Sequence, residues 1–305
     1  NVAFYTHVLG MRLVKKTVNQ DDVSAYHLFY ADGEGNAGTE VTFFDWPGSG
    51  PNINGPGSIA EIGLRVPGAQ SLAWWRSRFH ELGVEHQTIE ARGGRQMLPF
   101  SDPEGQRLAL VVDDRDGMAP GASWPDSPVP TEHQIRSLNH VTLIVEELQP
   151  TVRVLTEVLG FRQVDGYASP ENVSQQTAVF ETGPGGPGTE VHVQERPQMR
   201  RGRVGIGGVH HVAFRAPNDD EHRAWRDRVA GSGVPITDVI DRYYFKSLYF
   251  REPGHVLYEI ATDGPGFAVD EDAAHLGESL VLPPFLEPRR AQIEAGLRPL
   301  NTTVR

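Results

Sequence analysis

Two side chains in the last third of the chain carry metal-ligand donors in unusual surroundings. Glu259 sits within Leu257-Tyr258-Glu259-Ile260-Ala261, an apolar stretch with strand character. An unpaired carboxylate is costly to bury there, so it needs either a salt-bridge partner or a metal ion. His211 opens a second such stretch, His211-Val212-Ala213-Phe214-Arg215. On extended strands His211 shares a face with Ala213, and Leu257 shares one with Glu259; the small Ala213 leaves room beside the imidazole. Two His and one carboxylate on one face, with open positions opposite, is the arrangement favoured by non-haem Fe(II) oxygen chemistry, and Mn(II) suits the same donors. His140, at the head of His140-Val141-Thr142-Leu143-Ile144-Val145, is one candidate for the second His. His7, His80, His86, His133, His222 and His275 lie on expected helices or loops without a ligand context.

Composition narrows the alternatives. The chain has no cysteine, which excludes a disulfide framework, a thiolate nucleophile and a Cys-ligated metal, leaving His, Asp and Glu as ligands. A formal net charge of −12 argues against a nucleic-acid partner, because a phosphate backbone needs a basic stripe. No apolar run approaches the ~20 residues that span a bilayer, so no membrane partner is expected. With no signal-like segment, a cytoplasmic location is expected. The sequence leaves a homo-oligomer open.

The elements that must position these residues are repeated. Phe4-Tyr5-Thr6-His7-Val8-Leu9-Gly10 aligns with Val154-Leu155-Thr156-Glu157-Val158-Leu159-Gly160. Gly38-Thr39-Glu40-Val41 recurs as Gly188-Thr189-Glu190-Val191, Trp75-Arg76 as Trp225-Arg226, and Asp102-Pro103 as Glu252-Pro253, all at an offset of 150 residues. One constant offset across separated segments marks a tandem duplication. Each half divides again, so the fold class expected is α+β, four βαβββ modules in two tandem halves. In module three the apolar residues of 152–159 predict a helix ending at Gly160. The expected organisation is a module pair over 1–115, a linker over 116–136, a second pair over 137–263 and a tail over 264–305 with a short helix near 287–297.

A βαβββ unit curls into a half-barrel, and two together surround a cavity. Their first and last strands can then supply ligands. The first-strand position holds His211 in module four, His140 in module three and Glu61 in module two. The last-strand position, six residues after the Pro of the acid-Pro turn, holds Glu259 in module four but Ala109 in module two. By the same offset, the first strand of module one falls ahead of Asn1.

At these residues the sequence resembles the bacterial hydroquinone ring-cleaving dioxygenases of the vicinal oxygen chelate (glyoxalase/extradiol dioxygenase) superfamily, over nearly its whole length. The resemblance rests on Leu13-Val14-Lys15-Lys16-Thr17-Val18-Asn19-Gln20-Asp21-Asp22, Tyr26-His27-Leu28-Phe29-Tyr30 and Thr42-Phe43-Phe44 in the first half. In the second it rests on Gly208-Val209-His210-His211-Val212-Ala213-Phe214-Arg215, Asp241-Arg242-Tyr243-Tyr244-Phe245 and Ser247-Leu248-Tyr249-Phe250. The tail Leu282-Pro283-Pro284-Phe285-Leu286 adds to it. It implies a glyoxalase-like fold and an extradiol-type dioxygenase that uses Fe(II) and O2 to open a small aromatic substrate, a hydroquinone. His211 and Glu259 match two of the family's three iron ligands, and the third is a His ahead of residue 1, preferred over His140. Outer-sphere roles carry over to His210, Arg242 and Tyr249; strand alternation places His210 on the face opposite His211.

Two other readings keep the fold. A glyoxalase-like isomerase or lyase using Zn(II), Ni(II) or Mn(II) needs a fourth protein ligand, and the last strand of module one offers only Phe43, with Glu40 at its start. A non-catalytic small-molecule-binding protein leaves Glu259 without a purpose.

Overall fold

The computed structural model describes residues 1–114, 117–169, 172 and 174–302. The expected boundary at 115–116 and the last three residues of the tail lie outside the described residues. Two curled sheets face one another, and a third, larger sheet runs across the middle of the molecule. Strands β1 (Arg12–Val18), β2 (Tyr26–Ala31) and β3 (Val41–Phe44) form an antiparallel sheet in module one. Module two contributes β4 (Ser58–Val66), α1 (Ala69–Leu82), β5 (Glu90–Arg92), β6 (Arg95–Ser101) and β7 (Arg107–Val112). Module three contributes β8 (Leu138–Val145), α2 (Leu148–Arg153), β9 (Arg162–Ala168), β10 (Gln176–Glu181) and β11 (Glu190–Glu195). Module four holds β12 (Val212–Ala216), α3 (Asp219–Gly231), β13 (Ile240–Asp241), β14 (Lys246–Arg251) and β15 (Leu257–Thr262).

The strands of modules two and three fuse into one eight-stranded sheet, ordered β5-β6-β7-β4-β8-β11-β10-β9. Its seam is the antiparallel pair β4 and β8, with Ile62 opposite Val141. Both faces of this pair are covered, and all nine residues of β4 are buried, the charged Glu61 and Arg65 among them. In module four β12 forms one edge of the order β12-β15-β14-β13, whereas its counterparts β4 and β8 pair with each other.

Local chemistry explains the helices. In α3, Asn218 Oδ1 accepts the Glu221 amide at 2.9 Å, and Asp219, Asp220 and Glu221 meet the positive end of the helix dipole. α1 buries Leu72, Trp75 and Phe79 against its sheet and stops at Gly83, whose φ of 67° is the left-handed conformation glycine adopts most readily. The helix expected over 152–159 is present in altered form: α2 gives way to a π-helical turn, Val154–Val158, before Gly160. Its counterpart Phe4–Val8 makes the same turn in module one.

The tail wraps modules one and four together. Lys15 of β1 is fully buried and pairs with Asp270 at 2.7 Å and with Glu271, while Tyr244 donates to Asp270 at 2.9 Å. Arg12 donates to the carbonyls of Ala273 and Ala274, and Phe267 packs with Val14, Phe29 and Tyr244. The short helix α4 (Arg290–Gly296) buries Ile293 beside Val18, Leu282 and Leu286. Among the described residues no helix is long and apolar enough to cross a membrane.

Candidate metal centre

Modules one and four enclose a cavity of about 1250 Å³. On the module-four wall, His211 Nε2 lies 2.8 Å from Glu259 Oε2. Glu259 is 3% exposed, and its Oε1 has no hydrogen-bond partner. An orphaned, buried carboxylate oxygen beside an imidazole nitrogen fits a divalent cation, and the donors suit Fe(II) or Mn(II). Burial pushes the Glu259 carboxyl up, but His211 and the hydroxyls of Ser247 and Tyr249 more than offset it, so it titrates below its ordinary range. Among the described residues no group of three or more His, Cys, Asp or Glu is placed to hold a metal. On this wall two such donors, His211 and Glu259, meet.

Around this pair stand the residues expected in outer roles. His210 Nδ1 lies 2.9 Å from His211 Nδ1. Strand alternation does not govern this pair, because β12 begins only at Val212; both His210 and His211 line the cavity, which corrects the expectation of opposite faces. Burial, with His211 and Arg251 adding to it, lowers the His210 imidazole to about 4, so it is neutral near pH 7. Tyr249 stands edge-on to His211 at 5.8 Å between ring centroids, one strand over from Glu259 in register. Burial, reinforced by Glu259, raises its hydroxyl to about 12, so it remains a donor. Arg242 lies 5.8 Å from the Tyr249 ring and makes a two-toothed pair with Asp21 of module one, at 3.0 and 2.8 Å. His140 is elsewhere: it sits at the β4–β8 seam with Glu61 and His192.

The opposite wall holds residues that sequence reasoning passed over. Thr17, His27 and Phe44 align across β1, β2 and β3. The Thr17 hydroxyl and His27 Nε2 are buried without hydrogen-bond partners, and both residues line the cavity. Burial, with His211 and Arg242 nearby, holds His27 well below its ordinary pKa and so neutral. Phe29 and Phe44 flank its ring at 4.0 and 4.2 Å. His27 falls within a motif that carries the resemblance, yet only the strand register shows that it faces the cavity. Glu40, at the start of β3, is pushed up to about 7 by burial although the Gly38 and Thr39 amides bond it.

Paired curled sheets around a His-carboxylate site define a class of protein, and comparison with known sequences agrees. A sequence profile of the Glyoxalase/Bleomycin resistance protein/Dioxygenase superfamily matches residues 1–117 and 137–260, and the chain belongs to that superfamily. It is similar to the Bacillus subtilis protein named "Putative ring-cleaving dioxygenase MhqA", 46% identical over 99% of this chain and 94% of that one. The Sphingobium indicum "Chlorohydroquinone/hydroquinone 1,2-dioxygenase" is 28% identical over all of this chain and 92% of its own length. Among solved structures, one titled as a putative dioxygenase from Bacillus subtilis superposes with a TM-score of 0.90 at 35% identity, covering 100% of this chain and 94% of the other. Glyoxalase I from Zea mays shares the fold, with a TM-score of 0.60 at 14% identity over 86% of this chain and 87% of that chain.

Proposed function

We propose that this chain is an Fe(II)-dependent ring-cleaving dioxygenase of the extradiol type, acting with O2 on hydroquinone or substituted hydroquinones. The observation that carries this reading is the His211–Glu259 pair with its orphaned carboxylate oxygen, set in a cavity that also presents Tyr249 and Arg242. Two relatives, named a ring-cleaving dioxygenase and a chlorohydroquinone/hydroquinone 1,2-dioxygenase, point the same way.

His211 and Glu259 would hold the iron, through an imidazole nitrogen and a carboxylate oxygen. When bound there, the metal would supply Lewis acidity toward a substrate oxygen and redox chemistry toward O2. The side chains do the rest. With metal bound, His211 would donate its Nδ1–H to His210 Nδ1, leaving His211 Nε2 as the ligand atom beside Glu259. Tyr249, kept protonated, would donate a hydrogen bond to a substrate oxygen in the cavity. Arg242, held by Asp21, supplies fixed positive charge where negative charge develops in the ring.

Full-length protein purified anaerobically and loaded with Fe(II) is expected to consume O2 on addition of hydroquinone, with loss of the aromatic absorbance. Zinc-supported isomerase activity without O2 uptake would favour the glyoxalase-like alternative and end this reading.

A further inference from the structure

The cavity is polar at two opposed walls and aromatic between them. On the module-four wall stand His211 and Glu259, with Tyr249 in register beside Glu259. On the module-one wall Thr17 lies opposite His27, and His27 opposite Phe44. Residues directly opposite on paired strands share a face, and these three all line the cavity. Thr17 is buried, and neither its hydroxyl nor His27 Nε2 has a hydrogen-bond partner. Buried polar atoms are nearly always paired, so an unmatched couple on a cavity wall marks a place for a polar group of the ligand.

The surroundings define that group. Phe29 and Phe44 flank the imidazole, with ring centroids 4.0 and 4.2 Å away, and their side chains offer it no polar atom. The Tyr244 hydroxyl, which Thr17 approaches, donates to Asp270 at 2.9 Å and has no second proton for the Thr17 oxygen. His27 is neutral, so one of its ring nitrogens donates and the other accepts. A ligand hydroxyl satisfies His27 and Thr17 together under either tautomer, because it gives one proton and accepts another. An ether oxygen only accepts. Phe44 also ties the two walls together, packing on His27 and standing edge-on to His210 with ring centroids 6.3 Å apart. With Phe29 and Phe245 it lines the space between them with flat apolar surface.

We propose that Thr17 and His27 receive the second hydroxyl of a 1,4-dihydroxybenzene whose first oxygen lies beside His211 and Glu259, an inference that rests on the dioxygenase reading above. In a para-diol the two oxygens leave a flat ring in opposite directions, so each addresses its own wall. In an ortho-diol they lie side by side, and one wall is left empty. Thr17 and His27 thereby set specificity: they select a ring with a free hydroxyl para to the oxygen held at the other wall. A site built to hydrogen-bond a hydroxyl discriminates strongly against an analogue that lacks it, because its own buried groups then stay unpaired.

The test compares full-length, Fe(II)-loaded protein with His27→Leu and Thr17→Val. Oxygen uptake gives KM and kcat for hydroquinone and the competitive inhibition constant of 4-methoxyphenol, which keeps one hydroxyl and masks the other. His27→Leu is expected to raise the KM for hydroquinone about 10-fold, the scale of one lost buried hydrogen bond. Its kcat, its iron content and its inhibition by 4-methoxyphenol are expected to hold. Thr17→Val is expected to move the same KM in the same direction, and His27→Gln to recover part of the loss. A KM that stays put, or that rises in step with the inhibition constant, overturns the proposal and leaves both residues to packing. Absence of any oxygen uptake by the unaltered protein defeats the dioxygenase reading instead, and the subsite is then decided by NMR. In Zn(II)-loaded protein the His27 ring-nitrogen signals are expected to shift further with hydroquinone than with 4-methoxyphenol. Equal shifts, or none, refute the subsite, and the same spectra decide the matter if a variant fails to fold.

Discussion

Glu259 is the residue on which the reading of this molecule turns. Converting it to Gln keeps the shape and removes the charge proposed to meet the cation. Glu259→Gln is expected to cut iron content and O2 uptake by at least ~100-fold, the upper end of what loss of a mere outer-sphere partner costs. Metal analysis beside an oxygen electrode measures both, and normal turnover by an iron-loaded variant would remove Glu259 from the ligand set. His27 offers a second check. Its unpartnered Nε2 faces the cavity, so a substrate hydroxyl can reach it. His27→Phe is expected to raise the KM for hydroquinone about 10-fold, the scale of one lost buried hydrogen bond, with iron content unchanged. An unaltered KM would assign His27 to packing alone. Glu259 was legible in the sequence because the duplication set it against Ala109 in an otherwise apolar strand. His27 was not, since its side-chain direction depends on how β1, β2 and β3 curl. His210 was misplaced by an alternation rule applied one residue ahead of the strand.

At the scale of elements, the β4–β8 seam stores charge where sheets ordinarily store apolar contacts. Glu61, Glu190 and His192 within it are all shifted downward. Burial, abetted by His140, lowers His192 from 6.5 to about 3. Burial opposes ionisation of Glu61, yet His140 and Arg92 take it from 4.5 to about 2. Glu190 is likewise lowered, burial being outweighed by His192 and Arg95. Each group binds fewer protons folded than unfolded, so the seam's contribution is complete above about 6.5 and is lost on acidification toward about 2. Glu61→Gln strands Arg92 without its main counter-ion and is expected to cost about 3–5 kcal/mol at neutral pH. It should also flatten the acid limb. Urea unfolding at several pH values reads both, and a parallel pair of stability curves would show that Glu61 does not contribute to that limb. The modules themselves were legible because helix stops and apolar strands repeat at one offset. Which strands pair across modules was not, because β4 and β8 look alike as buried runs whichever partner they take.

The whole molecule is closed by its tail. Lys15 is a buried cation whose two carboxylate partners, Asp270 and Glu271, both come from the tail. Lys15→Met leaves that acidic pair without its cation and is expected to release the segment, at a cost of about 3–5 kcal/mol if tail and β1 unfold together. Limited proteolysis should then cut between 264 and 280 while the eight-stranded sheet stays intact. Equal resistance in both proteins would mean that Phe267, Leu282 and Ile293 hold the tail without the ion pairs.

The joining of module one to module four also orders events in time. Everything in the eight-stranded sheet lies between Ser58 and Glu195, so that part can fold while the ribosome is still at work. The candidate centre cannot, because His211 and Glu259 emerge after it and must travel back to a wall made earlier. Contacts so distant along the chain form slowly. The pocket is complete only when the last module arrives.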